Sequence, residues 1–209
     1  MQALQRVSSM QVHRDIENLP AFPRAVVTIG TFDGVHLGHR QILRQMKEVA
    51  GAQGGQTVII TFDPHPREVL RPSPNQPGIL NTLDEKISLL AEQGMDHLVV
   101  VPFTTAFSQL SPEAFIRDFL VRRFHPRTMI IGYDHHFGHD RKGDIGLLCR
   151  YGTILGFEVL EIPPRVVHEV TVSSTRIRQD IRDGNLEEAS ELLGYPYFFS
   201  GTVVAGARV

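Results

Sequence analysis

The sequence predicts an α/β protein built on a doubly wound, mostly parallel sheet. Two observations carry this reading: short runs rich in valine and isoleucine alternate with stretches of helical periodicity, and those stretches are long enough to serve as crossover helices. A third supports it. A chain of 209 residues can cover both faces of such a sheet with one core. Taken in order, Ala25–Ile29 is the first buried strand, and Ile42, Met46, Val49 and Ala50 then recur at helical spacing from Leu37 onward. Gln56–Phe62 is the second strand, Leu83, Ile87, Leu90 and Ala91 mark a helix, and His97–Val101 is the third strand. Ser111, Pro112 and Glu113 open a helix with an N-cap residue and proline at its first position, and Phe115, Ile116, Phe119, Leu120 and Phe124 form its apolar face. Thr128–Ile131 and Phe157–Ile162 are further strands on either side of a helix within 143–155, and Leu186–Leu193 is a last helix.

Two regions depart from the alternation. Pro64–Gly78 holds five prolines and is expected to be an extended, mobile loop. Tyr195–Val204 turns to β-forming residues shortly before the end at Val209, as a second domain cut short would.

Composition narrows the function. Lys and Arg number 21 against 23 Asp and Glu, a formal charge of −2, so no broad basic field exists to hold nucleic acid. Any phosphate binding must be local. The single cysteine, Cys149, excludes an internal disulfide framework and is expected to be a buried apolar filler. No stretch has the length of a signal peptide core or a membrane span, which points to a soluble cytoplasmic protein with no membrane partner.

Gly30-Thr31-Phe32-Asp33-Gly34-Val35-His36-Leu37-Gly38-His39 follows the first strand and opens a helix. A helix start offers unpaired N–H groups and a positive dipole end to an anion, and small residues let phosphate oxygens approach the backbone. His36 and His39 share one helical face there, charged only if their surroundings raise their pKa. A lone histidine after a strand is more often a cap. Two at this spacing, framed by three glycines, point to a triphosphate, and the absence of a following Gly-Lys-Ser/Thr argues against a P-loop. In a doubly wound sheet the ligand sits beyond the carboxyl ends of the strands, which is where this segment falls.

Three other segments could join it. Thr171–Arg178 places hydroxyls at a helix start with two arginines close behind; arginines there oppose the helix dipole, and an anion held by Ser174 and Thr175 with Arg178 folded over it would relieve the conflict. Thr61–Pro66 fixes the backbone around His65 with Pro64 and Pro66, which suits a planar ligand and equally a rigid strand exit. The loop from Gly132 to Asp144 carries three histidines and several aspartates; their spacing matches no closed zinc site, and Asp134 and Phe137 fit a ring-binding loop better.

In this order the pieces resemble the FAD synthetase module of the bacterial bifunctional riboflavin kinase/FMN adenylyltransferase family, from about Arg24 to the end. The Gly30–His39 and Ser173–Arg178 segments are marks of the wider HxGH nucleotidyltransferase superfamily, with its Rossmann-like fold. Thr61–Pro66 and the Gly132–Gly143 loop narrow the likeness to the flavin branch. The resemblance implies transfer of AMP from ATP, accompanied by Mg²⁺, to FMN, giving FAD and pyrophosphate by in-line attack of the FMN phosphate on the α-phosphorus. It implies that His36, His39 and Arg178 are catalytic. Gly30, Thr31, Phe32, Asp33, Gly132, Asp134, Ser174 and Thr175 join them in holding ATP, and Pro64, His65, Pro66, Asp134 and Phe137 lie near the flavin. Residues 1–186 would form the transferase domain, and 187–209 a linker helix plus the opening strand of a riboflavin kinase β-barrel. A full-length protein would also be a riboflavin kinase, whereas this chain is expected to adenylylate FMN without phosphorylating riboflavin. The family loop commonly has phenylalanine and arginine where His135 and His136 stand. Two alternatives share the motifs in part: another phosphate acceptor, phosphopantetheine or nicotinamide mononucleotide, or a nucleotide-binding regulatory domain without turnover.

Overall fold

The computed structural model describes residues 10–70 and 78–204. Strands β1 (Gln11–His13), β2 (Val26–Ile29), β3 (Thr57–Asp63), β4 (His97–Pro102), β5 (Thr128–Gly132) and β6 (Glu158–Ile162) form one sheet in the order β1-β4-β3-β2-β5-β6. Every pairing in it is parallel. From the central β2 the chain steps outward to β3 and β4, then returns to β5 on the other side of β2. Strand order therefore reverses between β2 and β5, and the loops leaving those two strands border the crevice where such sheets take their ligands. A two-stranded antiparallel hairpin, β7 (Val166–Val167) with β8 (Val170–Thr171), stands apart.

The helices are α1 (Leu37–Gln53), α2 (Pro66–Leu70), α3 (Leu83–Glu92), α4 (Thr105–Ser108), α5 (Pro112–Ala114), α6 (Arg122–Phe124), α7 (Ile145–Leu155), α8 (Ser174–Arg182) and α9 (Leu186–Leu193). Caps fix where they begin. Thr82 and Glu85 form a reciprocal capping box at α3, Ser111 caps α5 with Pro112 at the first position, Asp144 caps α7, and Ser173 accepts the Arg176 N–H at α8. Between α5 and α6 the helix runs on as a π-helix, Phe115–Val121, yet all five residues of the predicted apolar face are buried.

Successive strand residues point to opposite faces, and both faces are covered. Val27, Ile29, Val58, Ile60, Met129 and Ile131 pack against Phe115, Phe119, Phe124 and Leu148. Val26, Ile59, Leu98 and Ile130 pack against Leu43 and Met46 of α1 and Leu89 and Leu90 of α3. Burial of each such side chain contributes roughly 1.5–3 kcal/mol. The continuous apolar strands are thus explained by double coverage. A smaller cluster of Leu80, Val172, Ile177, Ala189, Leu192 and Leu193 joins α8 and α9 to the segment before α3.

Several expectations are corrected. The proline-rich stretch is not all extended, since Pro66 starts α2: its missing N–H costs nothing at a first helical position. Residues 71–77 of that stretch lie outside the described residues. Cys149 is exposed, because the buried stripe of α7 runs through Leu148 and Gly152 and leaves the intervening position outward. Tyr195–Val204 contains no strand, and Phe199, Val203 and Val204 are exposed; a strand needs a ladder partner, and the described residues supply none there. No helix among the described residues is long and apolar enough to cross a membrane.

Candidate active site

The chain leaves β2 through an unusually tight turn. Phe32 (φ 48°), Gly34 (φ 85°) and Val35 (φ 36°) all take left-handed backbone conformations. For a β-branched residue this is a genuine outlier, held here by packing, since Phe32 and Val35 are fully buried. Gly34 admits no side chain: a Cβ would lie 2.7 Å from Leu80.

The turn ends at His36, whose Nδ1 accepts the His39 N–H at 3.3 Å and so caps α1. The predicted shared face of the two histidines becomes a stack, with ring centroids 3.6 Å apart and planes 16° apart, and Phe32 flanks His39 at 4.9 Å. Gly38 makes this possible, because a Cβ there would meet the His36 ring at 3.2 Å. Burial pushes His36 down to about 4 and His39 well below its ordinary value, with each neighbouring positive charge adding to the effect. Both are neutral at pH 7. With Nδ1 of His36 accepting, its proton resides on Nε2, leaving that edge as a donor. His39 Nδ1 is buried without a partner.

Asp33 ties this turn to the rest of the site. Its Oδ2 accepts from the Arg178 guanidinium in a sealed ion pair, and its Oδ1 accepts the N–H groups of Leu80 (2.8 Å) and Asn81 (3.4 Å). The Ser174 hydroxyl donates to the Asp33 carbonyl at 2.8 Å. Asp33 therefore acts as a scaffold residue, its carboxylate engaged by Arg178 and by two backbone N–H groups. The predicted clash between the arginines and the α8 dipole is relieved within the protein: Arg178 meets Asp33, and Arg176 pairs with Asp180 at 2.9 Å. Arg178 also donates through Nε to the Gly78 carbonyl at 2.8 Å, which leaves Nη1 buried and unpaired.

The end of β3 lies alongside. Thr61 donates its hydroxyl to the Thr31 carbonyl at 3.2 Å, and Gly30 N–H donates to Ile60 O at 3.0 Å, so the Thr61–Pro66 segment and the β2 turn move as one. His65 is buried, accepts the Arg67 N–H at 3.1 Å, and is pushed down to about 4 by burial. The Arg67 guanidinium donates to the Thr175 hydroxyl at 3.3 Å, joining α2 to the start of α8.

The loop after β5 divides. Gly132 lies close to Ile42 of α1, and Asp134 beside it is exposed, as a group facing a ligand would be. Phe137 is different: its ring stacks on Phe115 at 5.1 Å inside the core, and its backbone pairs with Gly143. Its ring therefore takes part in the core, whereas Asp134 does not. His139 and Asp140 form an exposed pair at 3.4 Å. No group of three or more His, Cys, Asp or Glu suited to a metal ion occurs among the described residues.

Three participants were not foreseen from the sequence. Asn81 and Lys86 are 2 % and 5 % exposed, beside Asp33 and on α3 respectively. Tyr195 donates its hydroxyl to the Gly34 carbonyl at 2.7 Å, beneath the Arg40 guanidinium. For Lys86 a signal existed: it falls three residues after Leu83 and four before Leu90, on the apolar stripe of its helix. A separate cleft lined by Ile16, Leu19, Asp118, Arg122 and His125, beside the lead-in to β5, holds none of these residues.

A parallel sheet with a reversal beside β2, a capped His-x-Gly-His helix start and a hydroxyl-rich second helix start joined through one aspartate define a nucleotidyltransferase. A profile of the FAD synthetase family matches residues 20–176, and the chain belongs to that family. It is 42% identical over 183 residues to the bifunctional riboflavin kinase/FMN adenylyltransferase of Listeria monocytogenes, covering 88% of this chain and 58% of that protein. To the Escherichia coli K12 protein of the same name it is 37% identical over 199 residues, covering 94% of this chain and 63% of that one. The chain thus spans about three fifths of the length of these relatives. A solved structure described as a macrolide-efflux protein from Streptococcus pneumoniae superposes with a TM-score of 0.79 at 28% identity, covering 90% of this chain and 63% of that one.

Proposed function

We propose that this chain transfers the AMP moiety of ATP to FMN, yielding FAD and pyrophosphate. The observation that carries the reading is the convergence, at the β2/β5 reversal, of the stacked His36–His39 helix start and the Ser174–Arg178 helix start, locked together through Asp33. Two relatives bear the name bifunctional riboflavin kinase/FMN adenylyltransferase, and the matched family profile is that of FAD synthetase. The reaction needs little covalent assistance. An FMN phosphate oxygen is already anionic at neutral pH, so it attacks the α-phosphorus directly while the bond to the β-phosphate breaks and pyrophosphate departs. The protein's task is positioning and charge stabilisation.

In this reading His36 and His39 act as neutral hydrogen-bond donors to the phosphates, the unpaired Nη1 of Arg178 supplies a charged donor, and Ser174 and Thr175 hold the second helix start in place. Gly30, Thr31 and Phe32, with Gly132 and Asp134 across the crevice, border the adenosine; Pro64, His65 and Pro66 border the flavin. Mg²⁺ would accompany ATP as the counter-ion of its phosphates. The division at 186/187 belongs to the same proposal, with α9 packed on α8 as the bridge to whatever follows.

The test is incubation of the chain with FMN and MgATP, with chromatographic separation of products. FAD and pyrophosphate in equal amounts are expected. Turnover with phosphopantetheine or nicotinamide mononucleotide but not with FMN would overturn the acceptor, and nucleotide binding without pyrophosphate release would overturn catalysis.

A further inference from the structure

Lys86 is a buried lysine with no counterpart. It is 5 % exposed, and no described side chain makes a hydrogen bond or ion pair with it. Burying an ammonium without a partner is costly, and lysine is rarely found so. Its surroundings locate it. Burial lowers the Lys86 pKa against the opposing fields of Asp33, Asp63 and Glu68, while its own charge lowers those of His39 and His65. The segment that opens its helix is held at the β2 turn, where Asp33 Oδ1 accepts the Leu80 and Asn81 N–H groups, so Lys86 lies within electrostatic reach of His39 and His65. Its ammonium is not among the buried polar atoms sealed from solvent without a partner.

Among the residues tied to the Asp33 turn, three polar atoms are buried without partners: His39 Nδ1, Asn81 Nδ2 and Arg178 Nη1. Two of these are obligate donors. Charge bookkeeping then singles out the lysine. The histidines are neutral at pH 7, and the Arg178 charge is matched by Asp33. Lys86 is the buried cation left with no carboxylate at ion-pair distance among the described residues.

We propose that Lys86, on the helix that the unpaired Asn81 amide precedes, is a phosphoanion anchor: the fixed positive charge against which a substrate phosphate is seated. This deepens the adenylyl-transfer reading and rests on it. The anion is either the polyphosphate end of the nucleotide or the phosphate of FMN, a shared chemistry that separate titrations distinguish.

The experiment is calorimetric titration of the parent chain and of Lys86→Met with inorganic pyrophosphate and, separately, with FMN. Methionine keeps the unbranched stem and removes the charge. One of the two anions is expected to bind about 10- to 100-fold more weakly, the weight of a charge-assisted hydrogen bond, and that anion names the source. The thermal midpoint of the variant should stay near that of the parent, because no described hydrogen bond or ion pair is lost; Lys86→Gln serves if the methionine variant does not fold. Unchanged affinity for both anions would overturn the proposal. Loss of anion affinity in a chain whose parent makes no FAD would instead leave the anchor standing and remove the adenylyl-transfer reading.

Discussion

The turn after β2 and the loop after β5 look alike on paper, since both leave a central strand and both combine glycine, histidine and aspartate. In three dimensions they differ in what holds those groups. Asp33 and His36 are buried and engaged, the one by Arg178 and two backbone amides, the other by the helix start it caps. Asp140 and His139 are largely exposed and paired only with each other and Lys142. A polar residue fixed from several sides can present its remaining edge at a defined place. One that is solvated cannot, and this separates a site from a surface loop more sharply than composition does.

That contrast can be broken experimentally, starting with the largest effect. Asp33→Ala should destabilise the fold by about 3–5 kcal/mol, because it leaves the Arg178 guanidinium buried without its carboxylate; Asp140→Ala, removing an exposed ion pair, should change the unfolding free energy from denaturant titration by less than about 1 kcal/mol. His39→Ala should lower the rate of FAD formation by about 10²–10³-fold, as removal of a charge-stabilising donor does. The same change at His139 should leave the rate near that of the parent, and equal losses at both positions would erase the distinction.

Acid sensitivity sharpens the comparison further. His36 and His65 are held at about 4 when folded, against an ordinary value of 6.5. Between those values the unfolded chain binds protons that the folded chain refuses, so stability rises with pH across this window. Their contribution is complete above about pH 6.5 and is lost as the pH falls toward 4. Thermal scans should therefore show a midpoint that declines steadily through that interval, and His65→Gln should flatten the decline. The smallest effect is expected at Ser173→Ala, where loss of the α8 cap should cost about 1 kcal/mol without changing the pH profile.

The core was legible because double burial writes itself into sequence: the runs at Val58–Ile60, Leu98–Val101 and Met129–Ile131 are apolar throughout, and Val26–Ile29 is broken only by Thr28. β1 was not, since a three-residue edge strand with a half-exposed face leaves no periodic trace. Neither were β7 and β8, at two residues each. At the site, spacing was enough to pair His36 with His39 on one face, and the hydroxyls of 173–175 marked the second helix start. What spacing could not convey was occupancy. Nothing local to Asp33 announces that its oxygens are taken by residues 47 and 145 positions away, nor does the sequence around Phe137 reveal that its ring joins the core through Phe115. Lys86 was passed over because charge on a helix ordinarily means solvent, although its place on the apolar stripe argued otherwise.

Tyr195 has a mechanical corollary. Its hydroxyl grips the Gly34 carbonyl and approaches the Asn81 side chain at 3.3 Å, its ring lies under Arg40, and five residues on, the Ser200 N–H is held by Glu85 of the α3 capping box. The outgoing chain is thus moored to both walls of the cradle before it departs. One short stretch of chain therefore bridges the strained turn and the helix bearing Lys86, fixing the spacing between them.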